Sequence, residues 1–135
     1  MISASKLDEA FPEVNPGVVP LGTRVLVQLR TVRTKTSSGI VLVDDTKQFN
    51  KVNTQLARVI RIGPIAFRNR ETGNLWPEGV WARPGDYVRI PKYGGDRFER
   101  NIPGTEDTAL FCIFQDHEII AKVDPEAFEE IDEIL

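Results

Sequence analysis

Val25, Val27 and Leu29 alternate with Arg24, Leu26 and Gln28, so residues 24–29 read as a strand with one aliphatic face. The same texture returns four times. Residues 57–62 alternate around Val59 and stop at Gly63-Pro64. Residues 86–90 follow the turn signal Pro84-Gly85 and end at Pro91. Residues 109–114 are apolar on both faces, which suits a central strand, and residues 119–123 form the last run. Short β-branched runs separated by Gly/Pro turns predict an all-β domain, a small barrel in which closure removes unpaired strand edges. The chain shows neither an internal repeat nor a coiled-coil heptad.

The ends differ from this middle. Residues 1–18 read as an N-terminal extension. Ser5 and Asp8 suit the start of a short helix carrying Leu7, Ala10 and Phe11, and Pro12, Pro16 and Gly17 then predict an irregular linker. The plain expectation for such an arm is poor order. Residues 124–135 predict a short acidic helix, with Asp124 at the N-cap, Pro125 at the first helical position, and Phe128, Ile131, Ile134 and Leu135 on one stripe. So short a helix is marginal alone, so the stripe predicts docking, on its own barrel or on a neighbouring subunit.

Charge changes the picture little. Twenty acids against 17 bases give −3, and the last twelve residues hold six of the acids and no base. The remainder carries 17 bases and 14 acids, or +3, and no Lys/Arg block forms a nucleic-acid stripe. No run approaches the roughly 20 apolar residues of a membrane span. The N-terminus lacks the apolar core of a signal peptide, so the default location is the cytoplasm.

Catalytic chemistry is sparse. The one cysteine, Cys112, sits between Phe111 and Ile113 and reads as a buried, inert thiol. The one histidine, His117, lies in the polar turn Gln115-Asp116-His117-Glu118. Gly94-Gly95 reads as a turn, and Asp44-Asp45 lacks the further carboxylates of a calcium loop. Nothing calls for a metal or a cofactor, and the chain reads as a non-enzyme.

Residues 31–54 are polar except for an island at Gly39, Ile40, Val41, Leu42 and Val43. It reads either as an ordinary strand after the turn Ser37-Ser38-Gly39 or as an anchor held ready for a partner's groove. Burying three aliphatic side chains is worth about 1.5–3 kcal/mol each. Fixing the backbone costs about 1–2 kcal/mol per residue, so ordering half a dozen loop residues cancels the gain. One such loop binds weakly; several on one rigid ring bind well, because later contacts are intramolecular.

With these residues assembled, the chain resembles the GroES-like co-chaperonin family over residues 20–123. Pro20-Leu21-Gly22-Thr23-Arg24-Val25 looks like the family's first core strand. Thr34 to Leu42, with Gly39 before Ile40-Val41-Leu42, looks like its mobile loop. Arg58 to Gly63 is similar to the next strand and turn, and Pro84-Gly85-Asp86-Tyr87-Val88 to the glycine-aspartate step before a barrel strand. Tyr93-Gly94-Gly95 resembles a tyrosine-glycine turn, and Glu118 to Val123 the closing strand. The resemblance implies a small GroES-like β-barrel over residues 19–123, with a mobile loop at 31–54 and a roof hairpin at 65–80. It implies a homo-oligomer, a seven-subunit dome that binds a double-ring chaperonin in an ATP-dependent way and encloses unfolded substrate protein. Gly39, Ile40, Val41 and Leu42 would contact the chaperonin. Phe67, Arg68, Arg70, Glu71 and Trp76 would fall in the roof, and Tyr93 would approach the cavity. Pro20, Leu21 and Arg24 would meet Ile119, Ile120 and Val123 of a neighbour. Phe128 and Ile131, from the tail stripe, are added to that interface on their helical spacing.

Three features depart from the family pattern: the two extensions, the aromatic roof with Trp76 and Trp81 nearby, and a long connection at 96–105. They point toward a divergent phage-encoded member. Two other classes compete. A nucleic-acid-binding barrel would stack bases on Trp76, Trp81, Tyr87 and Tyr93 beside Arg83, Arg89 and Lys92. A phage structural or assembly protein would use residues 40–42 as an assembly contact.

Overall fold

The computed structural model of the chain describes residues 10–30, 56–91 and 93–127. It contains six strands: β1 (Arg24–Leu29), β2 (Leu56–Ile62), β3 (Tyr87–Arg89), β4 (Asp96–Asn101), β5 (Thr108–Gln115) and β6 (Ala121–Val123). All pair antiparallel in one sheet of order β4-β5-β1-β2-β3-β6. The five strand runs expected from the alternation outside residues 31–55 all appear. A bulge shifts the β1–β2 register, so that Leu26 faces Arg61 while Val27 faces Val59. The extra residue, Ile60, bends the ladder as a sheet that wraps a core requires.

One face of the sheet lines the main core, with Val25, Val27 and Leu29 of β1, Val59 of β2, Val88 of β3 and Cys112 and Phe114 of β5 all buried. The second apolar face of β5 has its own partner layer. Leu26, Ala109 and Phe111 form a cluster covered by Val14, Val18, Phe98 and Ile102. Phe98 stacks on Phe111 at 5.4 Å between ring centroids.

That layer corrects two expectations. The long connection at 96–105 is instead strand β4 followed by a turn, paired with β5 from Asp96↔Ile113 to Asn101↔Thr108. Its sequence, DRFERN, is mostly charged because it is an edge strand with mainly Phe98 facing apolar neighbours. Alternation cannot announce a strand that buries one side chain. Residues 10–18 are likewise not a loosely held arm. Phe11 is buried with Leu56 and meets Tyr87 edge-on at 5.3 Å. Gln28 Nε2 donates to the Pro12 carbonyl at 2.8 Å, and Arg100 Nε donates to that of Pro16 at 3.1 Å. The prolines make this segment extended, and its spaced apolar side chains cover the outer face of β1 and β5.

Of the acidic tail, the described part is a 3₁₀ turn at Pro125–Ala127, where Asp124 Oδ1 accepts the Glu126 N–H at 2.9 Å. The rest of the expected helix, 128–135, lies outside the described residues, as does the loop at 31–54.

The end of β2 is fixed by a close approach. Gly63 N–H donates to the Arg24 carbonyl at 2.8 Å, and a Cβ on Gly63 would collide with the Gly22 carbonyl. Gly63→Ala must therefore push two backbone segments apart. We expect a loss of about 1–3 kcal/mol in urea unfolding, as for overpacked interiors. An unchanged midpoint would show that the loop yields freely.

Candidate functional site

Among the described residues, exposed aliphatic side chains gather in three places. The first is the approach to β1. Val19 is 59 % exposed and Leu21 68 %, on either side of the buried Pro20. With Arg24, Ile113 and Phe114 they line an open groove beside β5. The second is β6, which pairs with β3 on one side only. There Ile120 is 62 % exposed, Ile119 turns into the core, and Val123 packs on the Phe11 cluster. Of the interface residues expected from sequence, the structure thus exposes Leu21, Arg24 and Ile120, buries Pro20 and Ile119, and half-buries Val123. An edge strand flanked by exposed aliphatics is a template for pairing with another chain.

The third place is the turn system at 65–80. A single bridge, Arg68↔Leu75, closes it. Asn69 organises the tip: its Oδ1 accepts the N–H groups of Glu71 and Thr72 at 2.8 and 3.1 Å. Arg68, Arg70 and Glu71 are exposed, and so is Leu75. Phe67 is not at the surface. It is fully buried, edge-on to Trp76 at 5.5 Å and 6.3 Å from Trp81, and it roots the turn in the core. Tyr93, by contrast, is 80 % exposed.

Phe67 takes a left-handed backbone (φ 63°), which a bulky residue adopts only when its surroundings enforce it. The enforcing group is Asp116, a buried carboxylate in the 3₁₀ turn Asp116–Glu118. Its Oδ2 accepts the Phe67 N–H at 2.8 Å while Oδ1 accepts the His117 N–H at 2.8 Å. Gln115 N–H donates to Glu118 Oε2, and Thr23 Oγ1 donates to Gln115 Oε1, each at 2.8 Å. The polar turn around His117 is therefore a structural clasp between β1, β5 and the 65–80 turn. His117 itself is exposed.

Cys112 is buried, and desolvation pushes its thiol above the ordinary range, with Arg97 opposing the shift. Because the folded pKa lies above the unfolded one, its stabilising contribution is complete below the unfolded pKa. It is lost as pH rises through the folded one. We expect slow alkylation of the native protein at pH 8 and fast alkylation in denaturant. Equal rates would show an accessible thiolate.

Among the described residues no group of three His, Cys, Asp or Glu could hold a metal ion, and no helix is long and apolar enough to cross a membrane. Of the aromatics that a base-stacking reading would use, Tyr93 alone is strongly exposed. Trp76 and Trp81 pack on each other at 4.8 Å, and Tyr87 packs on Phe11. Gly39, Ile40, Val41, Leu42, Lys92, Phe128 and Ile131 lie outside the described residues. Sequence reasoning missed Val19, Leu75 and Asp116. A faint signal existed for the first, a β-branched pair at Val18-Val19 with only one partner in the fold.

Comparison with known proteins agrees with this fold. Residues 17–123 match the model of the family described as Chaperonin 10 Kd subunit. The mitochondrial 10 kDa heat shock protein of Saccharomyces cerevisiae is 35 % identical over 106 residues, covering 78 % of this chain and 88 % of the yeast protein. Co-chaperonin GroES of Methylacidiphilum infernorum is 34 % identical over 111 residues, 82 % and 98 % of the two chains. Co-chaperonin GroES of Thermus thermophilus is 35 % identical over 109 residues, 81 % and 94 %. With four-fifths of its length aligned to such proteins and an antiparallel β-domain beneath the match, this chain belongs to the Chaperonin 10 Kd subunit family.

Proposed function

We propose that the protein is a co-chaperonin: a ring of identical subunits that lids an ATP-bound double-ring chaperonin and closes unfolded protein into its cavity. The observation that carries the reading is the pair of exposed apolar surfaces, the Val19–Leu21 segment leading into β1 and Ile120 beside the edge strand β6, on a domain of this family. Residues 19–21 of one subunit laid along the free edge of β6 of the next continue the sheet between subunits. Seven subunits per ring is the expectation carried from the family resemblance. Gly39, Ile40, Val41 and Leu42 supply the chaperonin contact, Tyr93 faces the cavity, and the 65–80 turn forms the roof. The protein performs no catalysis, and ATP turnover belongs to the partner. We place it in the cytoplasm. The β4–β5 hairpin and the packed N-terminal segment support a divergent member, in our reading a phage-encoded one acting in the host.

The test is sedimentation with a double-ring chaperonin, with and without ATP. A variant with Ile40, Val41 and Leu42 all changed to Ser serves as control. ATP-dependent co-sedimentation should fall at least tenfold in the variant, since its loops retain ring geometry but lose their apolar anchors. A folded wild-type protein that binds neither a bacterial nor a cognate chaperonin would replace this reading with that of an assembly protein.

A further inference from the structure

A groove of about 960 Å³ lies between the N-terminal segment and the outer side of β2. Val14 and Ile60 give it apolar walls, Arg58 and Arg61 line it, Glu13 is its one carboxylate, and Gly85 lies at its rim. Among the described residues neither Arg58 nor Arg61 forms an ion pair. The groove is therefore polar for the most part, with apolar walls at Val14 and Ile60, and positive on balance.

The strand register shows what arrives there. β6 runs antiparallel to β3, with Val123 opposite Tyr87. Beyond Val123 the chain passes back along the residues that precede Tyr87. Asp124 and Pro125 share a depression with Gly85 and Asp86, and Gly85 belongs also to the groove. Val123 packs on the cluster of Phe11, a residue that lines the groove as well. Asp124 and Pro125 thus lie close to the groove, and eight residues follow Ala127, the last described one. Extended, they reach about 26–29 Å; as a helix, about 12 Å. Phe128, Ile131, Ile134 and Leu135 match apolar walls, and Glu129, Glu130, Asp132 and Glu133 match the arginines.

We infer that residues 128–135 dock in the Arg58/Arg61 groove of their own subunit. The occupant's charge is complementary, its attachment point adjoins the site, and the tether keeps its local concentration high. Exposed ion pairs are screened by salt, so the docking is salt-sensitive. It assigns Phe128 and Ile131 to their own barrel rather than to a neighbour's, and it stands independently of the chaperonin reading.

Two measurements on the full chain test it. In the wild-type protein, amides of 128–135 should exchange hydrogen at least tenfold more slowly than in the free peptide at low salt, and faster at 1 M salt. Exchange at the free-peptide rate overturns the proposal. In a Glu13→Cys/Glu130→Cys variant, mild oxidation should give a disulfide within one chain. Adding Arg58→Glu and Arg61→Glu should slow its formation at least fivefold, and adding Glu129→Lys and Glu133→Lys as well should restore it. A disulfide between chains, or a rate indifferent to the charge reversals, overturns it.

Discussion

Leu21→Asp should prevent assembly of the ring proposed above while leaving each subunit folded. Leu21 is 68 % exposed in the isolated chain, so an aspartate there meets water and the fold should change by no more than about 0.5 kcal/mol. In an assembly that covers the segment leading into β1 the same carboxylate is buried without a partner. The interface loses about 1.5–3 kcal/mol of aliphatic burial and gains a desolvation cost of several kcal/mol. A ring repeats that penalty at every contact. Sedimentation velocity at micromolar concentration should show small species in place of the assembly, with unchanged far-UV circular dichroism. Ile120→Asp, beside the edge strand β6, should act alike. Leu75→Asp, exposed on the 65–80 turn, should leave the mass untouched. An assembly of wild-type mass from Leu21→Asp would move the interface elsewhere.

Phe67→Ala should lower the stability of the folded protein by about 3–5 kcal/mol, the usual cost of truncating a buried phenylalanine. Against a total of about 5–15 kcal/mol that is severe. The ring is fully buried, so its loss also removes an edge-on contact to Trp76 and a tilted one to Trp81. Asp116→Ala should cost about 1–3 kcal/mol by a different route, because the buried Phe67 N–H loses its acceptor. Asp116→Asn should fall between, since an amide oxygen can accept only where a carboxylate oxygen stood and its NH₂ then faces the second donor. Urea unfolding at fixed protein concentration, followed by tryptophan fluorescence, measures both positions, and fixed concentration matters because assembly adds to apparent stability. A loss below about 1 kcal/mol for Phe67→Ala would mean the aromatic cluster repacks around the gap.

Much of the sheet was legible in the alternation of side chains, for a simple reason. β1, β2, β3 and β5 each bury a periodic face in the main core, and burial on one side of a pleated strand imposes a period of two. Cys112 and His117 were legible for the same reason: one stands inside an apolar strand and the other in a polar turn. β4 was not legible, because an edge strand that packs chiefly through Phe98 carries no period. Its partner β5 did carry the trace, being apolar on both faces with only one face accounted for by the main core. The N-terminal segment failed in the opposite sense. Prolines and sparse apolar residues look like a loose arm until the second face of β1 and β5 is seen to need a cover, and only long-range contact supplies it.

The candidate surfaces divide along the same line. By itself the sequence determined the all-β class, the turn positions, the poverty of catalytic groups and the motif order that belongs to the family. It also marked the aliphatic tripeptide at 40–42 as unusual, because its local contrast with a polar loop is visible without a fold. The tertiary structure decided which apolar side chains remain uncovered. Leu21 and Pro20 are neighbours in sequence, yet one faces solvent and the other is buried; Ile119 and Ile120 divide in the same way. It also decided that Phe67 roots the turn instead of decorating it, and that Asp116 clasps it there. Exposure and hydrogen-bond partnership depend on residues far apart in the chain, as with Phe67 and Asp116 forty-nine positions apart, and no local pattern encodes them.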